Sequence, residues 1–145
     1  VQEAEEVMGK YDHINMKPSE ATAKAARRGL ELRKKQPKSG KAGLDAKQAK
    51  KQGIGSGVQR ASNMANRKVL SAGTWKRVKA YHDRHAKNRK LDPGKAPHED
   101  KGYVASLLWG GDPGYSQAKK IVRQMEAADK KGKRKMLRSV AKSRR

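Results

Sequence analysis

The stretch YVASLLWGGDPGYSQAKKIVRQMEAAD, residues 103–129, decides the fold. Tyr103, Val104, Leu107, Leu108 and Trp109 form the most hydrophobic run in the chain, and Asp100 stands where a helix holding them would be capped. Gly110 and Gly111 then end that helix. Asp112 reads as the cap of the next one, with Pro113 at its first position, where the missing N–H does no harm. Beyond the break, Tyr115, Ala118, Ile121, Val122, Met125 and Ala128 recur at helical spacing and so share one face. This pair of helices is expected to form the core.

Upstream, Ser71 is placed to cap a helix running to about Arg89, with Trp75, Val78, Tyr81 and one of His82 or His85 on its apolar side. Val58, Ala61, Met64 and Ala65 make a shorter helical face that ends near Asn66. Gly53, Gly55 and Gly57 alternate just before it. Backbone amides of such a turn can cradle a phosphate, but neither Walker nor dinucleotide spacing is present and no strand precedes it, so a flexible entry turn is the expectation. Residues 37–43 read as a linker, followed by a short helix from Asp45 to Gly53. Ser19 opens an earlier helix whose stripe is Ala21, Ala25, Ala26, Leu30 and Leu32, and which must stop near Gln36-Pro37. No alternating strand pattern is found. The expected fold class is all-α, a small helical domain of about five or six helices with flexible basic ends. The expected organisation is an arm over 1–17, basic helices and a linker over 18–52, a helical core over 53–130 and a basic tail over 131–145.

Charge dictates the choice of partner. The 145 residues include 37 Lys+Arg against 14 Asp+Glu, a formal net charge of +23. The excess rises along the chain, from 12 basic and 7 acidic residues in 1–50, through 12 and 4 in 51–100, to 13 and 3 in 101–145. Such a surface binds phosphate backbones by releasing condensed counterions and needs no catalytic group to do so. The expected partner is nucleic acid, double-stranded DNA first. The residues nominated for phosphate contact are Lys120, Arg123, Lys130, Lys131, Lys133, Arg134, Lys135 and Arg138, with Arg27, Arg28, Lys76 and Arg77 as a second patch. Gln117 and Gln124, beside Lys120 and Arg123, are placed to read base edges if that helix enters a major groove.

Other chemistry is thinly represented. His82 and His85, with His98, Glu99 and Asp100 further on, are the sole cluster resembling metal ligands, and a buried core histidine is the competing and preferred reading. No Ser/His/Asp or paired-carboxylate arrangement stands out, so neither catalytic residues nor a cofactor is expected. Of the six aromatic residues, most fall on stripes assigned to the core rather than on base-stacking surfaces. Cysteine is absent, which removes disulfides and Cys-based zinc sites. No apolar run approaches the roughly 18–20 residues that span a bilayer, so no membrane partner is expected.

Gly57-Val58-Gln59-Arg60-Ala61, Leu70-Ser71, Tyr81-His82-Asp83-Arg84-His85 and above all Gly102 to Asp129 resemble a region that recurs in tailed-bacteriophage proteins. The most specific part is Leu107-Leu108-Trp109-Gly110-Gly111-Asp112-Pro113-Gly114. Tyr11-Asp12-His13-Ile14-Asn15 and Gly29-Leu30-Glu31 match in style. The chain departs from the pattern at Ser106, where a Trp is usual, at Gln117, where another aromatic is usual, and at Ala86, where a Glu follows the His. The resemblance implies phage origin, a place near head, capsid-maturation or DNA-handling proteins, and a location in the host bacterial cytoplasm or the virion interior. Three functions stay open: a virion- or DNA-associated DNA-binding protein, a capsid-interior or connector component that binds acidic proteins, and a small nuclease or accessory domain of a DNA-processing enzyme.

Overall fold

Three of the helix starts read from the sequence are closed by the side chains nominated for them. In the computed structural model, which describes residues 9–37 and 57–143, Ser19 Oγ accepts from Thr22 N at 3.2 Å, Ser71 Oγ from Thr74 N at 3.1 Å, and Asp100 Oδ1 from Tyr103 N at 3.1 Å. Each bond satisfies an amide that the first helical turn leaves unpaired. The helices are α1 (Glu20–Lys34), α2 (Gly57–Ala65), α3 (Ala72–Arg84), α4 (Lys101–Leu108) and α5 (Gly111–Ser143), with 3-10 turns at Ala86–Arg89 and Pro97–Glu99. No strand occurs among the described residues, and the all-α class holds. The helix expected from Asp45 to Gly53, and most of the glycine-rich turn before α2, lie outside the described residues.

Helix α1 packs on α2, α4 and α5, while α3 packs on α5. Trp75, Val78, Met64, Leu70, Ile14, Ala26, Ala118, Ile121 and Met125 form one buried cluster. Leu32, Ala61, Val104, Leu107 and Leu108 form a second, between α1, α2 and α4. The stripe read from the sequence is partly the buried side of α1: Ala26 and Leu32 are buried, and Ala25 and Leu30 are half-buried against the second cluster. Ala21 is exposed, and the residues turned inward are Thr22, Ala23, Ala26, Gly29 and Leu32. Small residues there let α1 lie almost on the backbone of α4. A Cβ on Gly29 would stand 2.9 Å from both Leu107 Cβ and Leu108 N. Gly29→Ala is therefore expected to destabilise the domain by about 1–3 kcal/mol, outweighing alanine's ~1 kcal/mol helix preference. The urea midpoint of the variant checks this; an unchanged or raised midpoint would mean the two helices have room to spare.

Three element boundaries differ from the sequence reading. Helix α3 ends at Arg84 rather than near Arg89, because His85 leaves helical geometry (φ −121°, ψ 43°) and its ring packs on Tyr81, 4.8 Å between centroids. The turn that follows lets Arg89 reach back, its Nε 2.8 Å from Asp112 Oδ1 and one guanidinium nitrogen donating to His82 O at 3.2 Å. Asp112 is accordingly not the cap of α5. The helix starts a residue earlier, on a turn in which Gly110 and Gly111 both have positive φ (89° and 60°), and Asp112 sits in the first turn. Its carboxylate is there favoured by the positive end of the helix dipole.

The third difference is length. The basic stretch read as a separate tail is the continuation of α5, which runs 33 residues from Gly111 to Ser143, about 50 Å at 1.5 Å per residue. Lys, Arg, Ala, Met and Leu are all good helix formers, and cations near a C-terminus suit the helix dipole. Helix α2 closes with the paired bonds of a Schellman motif, Arg67 N to Met64 O and Lys68 N to Asn63 O. Arg67 takes the left-handed position (φ 52°) usually given to glycine, and its Nε donates to Pro18 O at 3.0 Å.

Candidate nucleic-acid interface

Helix α5 has two sides of opposite character. Ala118, Ile121, Val122 and Met125 are buried in the core. Lys120, Arg123, Lys130, Lys131, Arg134 and Arg138 are all exposed, and at 100° per residue they fall on the side turned away from that core. Lys133 and Lys135 are also exposed and flank this stripe on either side. From Lys130 to Arg145 the sequence holds nine basic residues and no acidic one. Six of the eight first-named phosphate contacts thus share one side of one helix.

The second patch does not form in the same way. Arg27 and Arg28 are exposed on α1, with Arg28 3.9 Å from Glu31. Lys76 and Arg77 are on α3, and Lys76 lines a depression shared with Asp83, Glu126 and Asp129. Gln117 is unavailable to bases. Its Oε1 accepts from Ser19 N (3.0 Å) and Thr22 Oγ1 (2.9 Å), and its Nε2 donates to Lys17 O (2.7 Å), so it pins the start of α1 to α5. Gln117 acts as a structural clamp.

The histidines are dispersed. His82 is fully buried and its Nε2 lies 3.0 Å from Trp109 O, which makes it the donor of the neutral imidazole. His98 borders a different depression, near Gln36 and Pro37, and its backbone carbonyl accepts from Gln36 Nε2 at 2.9 Å. Among the described residues no group of three or more His, Cys, Asp or Glu side chains is placed to hold a metal. The core-histidine reading fits His82. Burial holds its imidazole below the usual 6.5, against a smaller opposite pull from the Trp109 carbonyl. A lowered folded value means that the unfolded chain takes up the proton first. His82 therefore costs no stability above about pH 7 and reduces it as the pH falls through about 6.5. In a His82→Gln chain, melting temperature plotted between about pH 7 and 5 should be flatter than in the parent. Equal slopes would show that the acid sensitivity arises elsewhere.

Aromatic residues mostly serve packing. Tyr81 and Trp109 stack at 4.7 Å with 8° between planes, and Tyr115 donates to Asp83 Oδ1 at 2.6 Å. Asp83 also accepts from Lys79 at 2.8 Å, and these two bonds hold its carboxyl below the usual range. Arg60 entered the sequence reading only as part of the Gly57–Ala61 motif, with no role given to it. Its Cζ sits 3.2 Å from the Trp109 ring centroid, its Nε is buried without a hydrogen-bond partner, and burial pushes its guanidinium down to about 10. Nothing local to Arg60 signals this, since the ring it covers is 49 residues away in sequence.

No family model, curated protein or solved structure matches the chain. No helix among the described residues is long and apolar enough to cross a membrane.

Proposed function

We propose that the protein binds duplex DNA through the exposed stripe of α5, gripping phosphates with little preference for sequence, as a DNA- or virion-associated component of a tailed phage. The observation that carries this reading is the stripe itself: Lys120, Arg123, Lys130, Lys131, Arg134 and Arg138, exposed along one side of a helix whose first half is anchored in the core. Six phosphate contacts correspond to a slope of about −5 in log K against log salt, or about a thousandfold loss of affinity between 50 and 200 mM. A fluorescence titration against a short duplex and a matching single strand, over a salt series, tests it. A steep slope shared by unrelated duplex sequences supports backbone binding. Weak association even at low salt removes it.

One observation favours a second reading. Met136, Leu137 and Val140 are 65%, 59% and 42% exposed on the same basic helix. Apolar residues set among cations suit an acidic protein partner, as in a capsid-interior or connector role. The same titration separates the two, because this role predicts poor binding to free duplex.

A further inference from the structure

We propose that the groove where the turn at Gly9–His13 meets α5 is a seat for a single phosphate group, continuous with the stripe and completed by Lys10 and His13 from outside α5. This inference rests on the DNA-binding reading and gives it a defined contact point. The groove has a volume of about 530 Å³. Four nitrogen-bearing side chains border it: Lys10 and His13 from the turn, Lys131 and Lys135 from α5. The remaining lining is Gly9, Ala127, Ala128 and Gly132; two carboxylates stand beside it, Asp129 paired with Lys10 and Asp12, whose Oδ2 is 3.8 Å from where a Cβ on Gly9 would stand.

The chemistry matches phosphate on two counts. Lysine ammonium groups carry three donors each, so Lys10 keeps protons to offer although it is paired with Asp129. Asp129 itself accepts from both Lys10 and Tyr11, which holds it ionised and committed to the domain rather than to the groove. The small residues matter equally, because they let a tetrahedral anion approach the helix where a longer side chain would hold it off.

Gly132 gives the independent observation. It lies inside a 33-residue helix, where glycine weakens the helix relative to alanine. A Cβ there would meet nothing within 4 Å, so packing does not require glycine. Open space beside the backbone is what the groove needs from that position.

The test uses the full chain, with inorganic pyrophosphate as the probe followed by amide NMR shifts, and with a short duplex in parallel. Saturable shifts are expected at the Gly9 and Gly132 amides. Gly132→Leu keeps every cation but sets a bulky side chain between Lys131 and Lys135 on the helix wall of the groove; it is expected to weaken pyrophosphate binding about tenfold and to flatten the duplex salt slope by about one phosphate contact. Gly132→Ala leaves most of the groove open and should bind as the parent does, which separates occlusion from any change in helix stability. Shifts spread evenly over the α5 lysines, or unaltered binding in Gly132→Leu, would overturn the seat. If duplex binding stays steep and unaltered in Gly132→Leu, the seat fails while the DNA reading stands. If pyrophosphate binds the groove and free duplex does not bind, the seat stands and the DNA reading fails. A glutamate-rich peptide that displaces pyrophosphate more effectively than duplex does would overturn the phosphate assignment in favour of carboxylates.

Discussion

Trp75→Ala is expected to cost about 3–5 kcal/mol, a large share of the roughly 5–15 kcal/mol that holds a small domain folded. Trp75 is wholly buried, in the cluster that joins α3 to α5 and to the segment before α1. Truncation leaves a cavity that its neighbours cannot fill, because the chain has no Phe and few other large apolar side chains. It also removes the donor to Met16 O, now 2.9 Å from Trp75 Nε1, and leaves that half-buried carbonyl with one partner instead of two. Met16 O accepts from Leu70 N as well, at 3.2 Å, so the loss loosens the point where the N-terminal turn and the α2–α3 connection are tied together. Trp75→Phe separates the contributions. It retains much of the ring volume and gives up the hydrogen bond, so about 1–2 kcal/mol is expected. Thermal and urea unfolding followed by circular dichroism measure both. A loss below about 1 kcal/mol for the alanine variant would mean that this cluster does not hold the fold together.

Much of this architecture was legible because capping and periodicity are local. Ser19, Ser71 and Asp100 bond amides three residues ahead, and the spacing of Trp75, Val78, Tyr81 and His82 is fixed by the helix alone. Reading failed where a distant partner decides. Asp112 has the composition of a cap, yet the positive-φ pair Gly110–Gly111 starts α5 earlier and Arg89 takes its carboxylate. Gln117 resembles a base reader until Ser19, Thr22 and Lys17 are brought beside it from about 100 residues away. The stripe of α1 was legible at Ala26 and Leu32, but Ala21 is exposed and hydrophobicity alone did not mark Thr22, Ala23 and Gly29 as buried. Close approach to α4 selects a small residue at Gly29, and Thr22 packs against the glycine turn that opens α5. For the candidate interface, the list of cations on α5 was available from sequence, but their division was not. Only the helical continuation past Asp129 sorts them into a stripe, its flanks and the groove that Lys10 and His13 share.

That division makes a sharper prediction than net charge does. Two triple variants carry the same formal charge, three below the +23 of the parent. One removes Lys130, Arg134 and Arg138, all on the stripe. The other removes Lys133, Arg134 and Lys135, of which Arg134 alone lies on it. If DNA merely senses a cationic tail, the two should be indistinguishable. If it lies along the exposed side of α5, the stripe triple should flatten the salt slope by about 2.7 and the other by about 1 to 2, because each phosphate contact contributes about 0.9. At fixed salt near 150 mM, the stripe triple should then bind about tenfold or more weakly than its charge-matched partner. Alanine keeps the helix intact at all these positions, so the comparison tests placement rather than folding. The expected order follows from placement along α5: Lys130, Arg134 and Arg138 continue the exposed side that begins with Lys120 and Arg123, whereas Lys133 and Lys135 lie on its flanks. Equal affinities and equal slopes for the two variants would show that the basic segment acts as diffuse charge, and the α5 stripe would lose its claim to be the interface.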